Sequence, residues 1–139
     1  MNSEELQYQI FASQDSSYPL AHRYSTSIIT NPDYSEDMLR EIIKSVTWEL
    51  RQMISYRSDR FKMDFGDKGA DIAIVFLYKD DIDVQNHNYV CRSCWCSSEL
   101  TEEAKQICFI GNDKLDEIEI DWNPDYNQRR NNYRLFSQS

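Results

Sequence analysis

Three cysteines fall within six positions of the stretch YVCRSCWCSS, residues 89–98, and Cys108 follows twelve residues after the last of them. Thiols so close together can hold a soft metal ion, exchange disulfides, or fill a core as small hydrophobes. Cys91 and Cys94 have the Cys-x-x-Cys spacing that turns two thiolates toward one zinc ion at about 2.3 Å. The other half of such a site is irregular. Cys96 stands just beyond the first pair, Cys108 is alone, and His87 is a substitute ligand at a distance.

The aromatic and β-branched company of these cysteines, Tyr89, Val90 and Trp95, predicts a strand over about 89–97. On a strand, alternate side chains face opposite ways, so Cys91 points to one side with Tyr89 and Trp95 while Cys94 and Cys96 point to the other. All three cannot meet at one ion. The expectation is therefore no metal, with a Cys91/Cys94/Cys96/Cys108 zinc site as the alternative. A redox Cys-x-x-Cys is disfavoured because no helix begins there to lower a thiol pKa, and in a reducing compartment the four thiols need not pair.

Carboxylates supply a second candidate chemistry. Asp80, Asp81 and Asp83 follow the most apolar run, Asp71 precedes it, and Glu103 and Lys105 form a Glu-x-Lys triplet, together the ingredients of a divalent-metal nuclease. With 24 Asp and Glu in 139 residues such a triplet arises readily by chance, and Glu103 falls on an expected exposed helix. The two histidines, His22 and His87, have no nucleophile context, and three glycines build no phosphate-binding loop. A nuclease is the third reading; acyl transfer and nucleotide hydrolysis are disfavoured.

Two surfaces stand out instead. In KLDEIEIDWN, Glu117, Glu119 and Asp121 alternate with Ile118, Ile120 and Trp122, placing an acidic row on one strand face. Such a row deters edge pairing or steers a basic partner. On the helix expected over about 35–57, about 100° per residue places Trp48 opposite Val46, among Glu41, Lys44, Gln52 and Ser55. A tryptophan there either lies beneath the C-terminal tail, through Tyr133, Leu135 and Phe136, or anchors a partner.

The elements that must carry these residues begin with SEDMLREIIKSVTWELRQMISYRS. Leu39, Ile42, Ile43, Val46, Leu50, Met53 and Ile54 recur at three- and four-residue steps, predicting an amphipathic helix over about 35–57. Asn31 or Ser35 caps its start, Pro32 suits the first turn, and Asp33, Glu36 and Asp37 complement its positive end. Strands are expected near 6–12, at RYSTSIIT, at the uninterrupted run Ile72–Leu77, at 89–97, and as two strands around Gly111-Asn112-Asp113. A short helical turn is expected near 99–106. The order predicts an α+β fold: a mainly antiparallel sheet with the long helix on one face. We read residues 1–126 as one domain and 127–139, which lack a period, as a tail that docks in cis or on a partner, its arginines available to the acidic strand.

Charge narrows the partner. The net charge is −9, and residues 99–126 alone hold two basic against nine acidic side chains. That balance repels a phosphate backbone, so direct nucleic-acid binding is disfavoured and a protein with a basic surface is favoured. The acidic start MNSEELQYQIF and the lack of a long apolar run predict a cytoplasmic protein with no membrane association. The sequence reading is thus a non-catalytic, acidic protein-binding module without cofactor, such as an immunity protein or a complex subunit of a bacterial or phage assembly. Its partner-binding residues are Glu117, Glu119, Asp121 and Trp48.

Overall fold

The structure, a computed structural model, describes residues 6–15, 23–52, 71–98, 101–105, 108 and 111–137. Met53, Ile54 and Ser55 of the expected helix, and the FKMDFGDKG stretch, lie outside these residues. The fold is α+β. Strands β1 (Tyr8–Asp15), β2 (Arg23–Thr30), β3 (Ile72–Tyr78), β4 (Cys91–Cys96), β5 (Asp113–Leu115) and β6 (Ile118–Trp122) form one sheet in the order β1-β2-β3-β4-β6-β5. Among the described strands only β2 and β3 pair in parallel, and the helix α1 (Glu36–Arg51) is part of the connection between them.

Alternation drives β2: Tyr24, Thr26, Ile28 and Thr30 are buried while the residues between them are half-exposed. Each buried residue lands on the face that α1 covers. From α1, Leu39, Ile42, Ile43, Val46 and Leu50 meet Tyr24 and Ile28, then Ala73, Val75 and Leu77 of β3, Cys91 and Trp95 of β4, and Ile118 and Ile120 of β6. At roughly 1.5–3 kcal/mol for each large side chain taken out of water, this packing outweighs the few tenths that intrinsic propensity contributes. Ser35 caps α1 by accepting from the Met38 backbone N–H, with Glu36 and Asp37 in the first turn.

The apolar run of β3 occupies the sheet centre, as expected for a strand without polar interruption. Coverage is unequal, however. Ala73, Val75 and Leu77 are buried under α1, whereas on the reverse face Ile74 and Phe76 remain half-buried. The β3–β4 hairpin is antiparallel and its loop folds into the short helix α2 (Asp81–Gln85). A further helical turn, α3 (Glu102–Lys105), sits where one was expected.

The turn of the last hairpin is not at Gly111-Asn112-Asp113. β5 and β6 are joined by Asp116 and Glu117, with Asp116 at φ 54°, a left-handed conformation that a short polar side chain tolerates. Gly111 is needed for a different reason: a Cβ there would lie 2.2 Å from the Ile120 carbonyl oxygen. Asn112 alongside acts as a substitute ladder residue, its side chain bonding both the N–H and the C=O of Trp122 at 2.9 Å. We expect Gly111→Ala to cost at least the upper end of about 1–3 kcal/mol, because the obstruction is backbone and cannot rotate away. Urea denaturation of the variant beside the parent measures this.

The tail is also different from its sequence reading. Residues Tyr126–Ser137 form a helix, α4, started by Asn123-Pro124-Asp125. The same tetrapeptide, Asn-Pro-Asp-Tyr, precedes α1 at residues 31–34. In both copies the asparagine side chain accepts from the aspartate N–H (2.9 and 3.1 Å) and its carbonyl accepts from the tyrosine N–H (3.2 and 3.3 Å). Asn-Pro-Asp-Tyr is thus a local device for turning the chain from strand to helix, used twice.

Candidate functional site

Glu41, Lys44, Ser45 and Trp48 recur at helical steps of three and four, so they form one stripe along α1. The stripe faces the β5–β6 turn. Arg40 fixes that approach by pairing with Asp113, whose carboxylate also accepts from the Trp122 indole N–H at 2.8 Å. Those bonds, with the Trp122 donor as the leading cause, hold the Asp113 carboxyl below the ordinary carboxylate range.

Between helix and turn lies a groove of about 610 Å³, lined by the stripe together with Thr47, Arg51, Trp95, Asp116, Glu117 and Ile118. Trp48 stands at its side with 59% of its surface exposed. Arg51 lies between the two indoles, its guanidinium carbon 4.1 Å from the Trp95 ring centre and 5.3 Å from that of Trp48. Stacking of this kind orients a planar guanidinium without consuming its N–H donors. Two polar atoms of the lining residues, Trp95 Nε1 and Thr47 Oγ1, are buried with no hydrogen-bond partner among the described residues. A buried polar atom left without a partner costs about 1–3 kcal/mol, so these two atoms are a local cost of the packing beneath the groove. The rim carries Glu41, Asp116 and Glu117, with Lys44 set 3.8 Å from Asp116 in an exposed, weak pair.

The four partner-binding residues read from the sequence therefore separate. Trp48 and Glu117 line this groove. Glu119 and Asp121 belong to the opposite side of the sheet, and each is engaged within the chain: Glu119 accepts from the Gly111 N–H at 3.2 Å and lies 3.5 Å from Lys114 Nζ, while Asp121 pairs with Arg92 at 3.0 Å. Glu117 falls in the turn, out of the alternation, so the row is not one continuous acidic face. Trp95 and Arg51 were missed. Their meeting joins a strand residue to the last turn of a helix, and no local pattern announces it.

Trp48 is not beneath the tail. Helix α4 docks instead on the β3–β4 connection, where Arg130 bridges Asp80 at 2.7 Å and the fully buried Asp83 at 2.5 Å. Tyr126 donates its hydroxyl to Asp83, and Asn88, also fully buried, donates to the Tyr126 carbonyl and to the Tyr133 hydroxyl. Arg129 donates to the Asn86 carbonyl, so neither of these arginines reaches the acidic strand. Burial pushes the Asp83 carboxyl above the ordinary carboxylate range, while the Tyr126 hydroxyl and Arg130 pull it part of the way back.

This network also accounts for the carboxylates weighed as a nuclease site. Asp80 caps α2 and pairs with Arg130, and Asp83 is sealed beneath α4. Asp71 lies at the far end of β3, about 20 Å away along a strand of seven residues. Among the described residues no three carboxylates or histidines converge on a point where a cation would sit.

The cysteines divide as strand geometry demands, and then regroup. Cys91 faces α1 in the core with Trp95, and burial drives its thiol far above the usual range. It is excluded from any site with Cys94 and Cys96. Tyr89 does not share that face: it packs edge-on against Phe76, on the other side. On that reverse face Cys94 is joined to Cys108 by a disulfide, a pairing that the sequence reading did not require. Cys96, two positions along β4, completes a trio whose sulfurs all lie within 4.8 Å of one another. His87, beyond α2 and at the opposite end of β4, takes no part.

Searches of family models, curated proteins and solved structures found no match to this chain. The groove, the buried charge network and the cysteine trio are therefore what bears on function. No helix among the described residues is long and apolar enough to cross a membrane.

Proposed function

We propose that this chain is a non-catalytic, cytoplasmic protein-binding module that receives a basic segment of a partner protein in the groove between α1 and the β5–β6 turn. The observation that carries the reading is Trp48, an indole 59% exposed at the side of the groove, with Arg51 held between it and Trp95. A polypeptide suits this wall. Its backbone carbonyls accept from Arg51, and a lysine or arginine side chain is drawn to Glu41, Asp116 and Glu117. Tryptophan and arginine are both enriched among binding hot spots. The net charge of −9 favours encounter with a basic surface over an acidic one. An immunity-type protein that neutralises a basic toxin, or an accessory subunit seated on a basic assembly, fits this description.

The test is a titration with a lysine- and arginine-rich peptide and with an equally long glutamate-rich one, followed by tryptophan emission. The basic peptide is expected to bind and to weaken as salt rises. Glu117→Lys should slow its association roughly fivefold at low salt and leave dissociation nearly unchanged, as a rim charge does. Indistinguishable behaviour of the two peptides would refute the proposal.

A further inference from the structure

The reverse face of the sheet carries chemistry that the groove does not use. Cys94 and Cys96 stand two apart on β4, on one face, and Cys108 approaches from the chain between α3 and β5. We propose that Cys94, Cys96 and Cys108 form a thiolate site for a thiophilic d¹⁰ cation, zinc or copper(I), which the Cys94–Cys108 disulfide closes and reduction opens.

Geometry supports the assignment first. Two sulfurs bound to one zinc at about 2.3 Å lie about 3.8 Å apart, and the three here already fall within 4.8 Å of one another, so small side-chain rotations bring them to a common ion. Access supports it next: Cys94 is fully buried while Cys96 and Cys108 are half-buried, which leaves an entry and a further coordination position toward solvent. Ile72 and Ile74 pack around the trio and limit water on the inner side, the apolar shell that strengthens metal–thiolate bonding. Donor type completes the argument, since three thiolates select zinc or copper(I) over hard cations. Cys91 lies on the other face and is a built-in control.

The opening step balances with a dithiol reductant. It delivers two electrons and two protons to the Cys94–Cys108 bond, is itself closed to a cyclic disulfide, and leaves two thiols. Binding of the cation then forms three metal–sulfur bonds and releases three protons. In a reducing compartment the open state prevails; a disulfide oxidant such as oxidised glutathione closes it by exchange, taking two electrons from Cys94 and Cys108 and leaving as two thiols while the cation is released and Cys96 is reprotonated.

Anaerobic titration tests this on the whole chain. After reduction and removal of the dithiol, cobalt(II) should bind at one equivalent with thiolate-to-metal charge-transfer absorption, and zinc should displace it. Copper(I) is titrated separately against a chromophoric chelator. Zinc retention assigns a four-coordinate site and copper(I) retention a trigonal one; failure to retain either overturns the proposal. Cys96→Ser, which leaves the disulfide pair intact, should lower affinity at least tenfold, and the oxidised parent should bind neither ion. Equal binding by the serine variant or by the oxidised chain refutes the site. Should that variant fail to fold, alkylation of the parent decides: bound metal must protect Cys94, Cys96 and Cys108, and labelling unchanged by metal counts against the proposal.

Discussion

Arg130→Met is expected to destabilise the chain by about 3–5 kcal/mol at neutral pH, the cost of stranding a buried carboxylate whose counter-ion has been removed. Arg130 is the cation held between Asp80 and the fully buried Asp83, and it also donates to the Tyr126 hydroxyl at 2.8 Å. Methionine keeps much of the volume and none of the charge. The loss should depend on pH in a determined direction. Because the folded Asp83 has its pKa raised above the unfolded value, protonation favours the folded state. Its contribution is fully present below about pH 3.9 and is lost as pH rises through the elevated folded value. Removing Arg130 removes one of the influences that lower that value, so the window extends upward and the variant falls furthest behind the parent near neutrality. Urea denaturation of both chains at pH 5 and pH 7.5 measures the difference, in which the other carboxyls, Asp113 included, largely cancel. Adding Asp83→Asn to the variant should recover part of the stability. A loss below about 1 kcal/mol that does not change with pH would mean that the bridge is solvated and contributes as a surface pair does.

That network shows where the sequence was readable and where it was not. α1 is legible because the residues it buries, Leu39 through Leu50, are aliphatic apart from Thr47 and recur with the helical period. β2 is legible because its burial alternates strictly. α4 starts with the same Asn-Pro-Asp-Tyr as α1 but was read as an irregular tail, since the side chains it turns inward, Tyr126, Arg130 and Tyr133, are amphipathic rather than aliphatic. They share a face at steps of four and three, a signal that a hydrophobic period overlooks. The partners of that face, Asp80, Asp83 and Asn88, lie some forty residues earlier, and their appetite for a cation is a tertiary fact. The same limit governs the cysteines. Strand alternation correctly divides Cys91 from Cys94 and Cys96, but the approach of Cys108 depends on a path that no spacing reveals. For the acidic row, alternation places Glu119 and Asp121 on one face, while Arg92 and Lys114, which engage them, come from neighbouring strands.

Trp48 is the residue on which binding is expected to depend most. Trp48→Ala should lower affinity for a basic peptide by at least about 2 kcal/mol, close to thirtyfold, while stability moves within about 0.5 kcal/mol. The two effects separate because the indole is 59% exposed and contributes little to the core, yet it forms one wall of the groove and one side of the Arg51 stack. Without it, Arg51 keeps only the Trp95 ring beneath it and gains freedom that a ligand must then remove. Trp48→Phe distinguishes wall from donor. A phenyl ring restores surface and stacking but no indole N–H, so recovery of most of the affinity would assign the role of Trp48 to contact area and leave hydrogen bonding to Arg51. Isothermal titration of the three chains against one peptide, beside their thermal midpoints, makes the measurement. An alanine variant that binds as the parent does would show that the groove is not where the partner sits, whatever the peptide's charge preference.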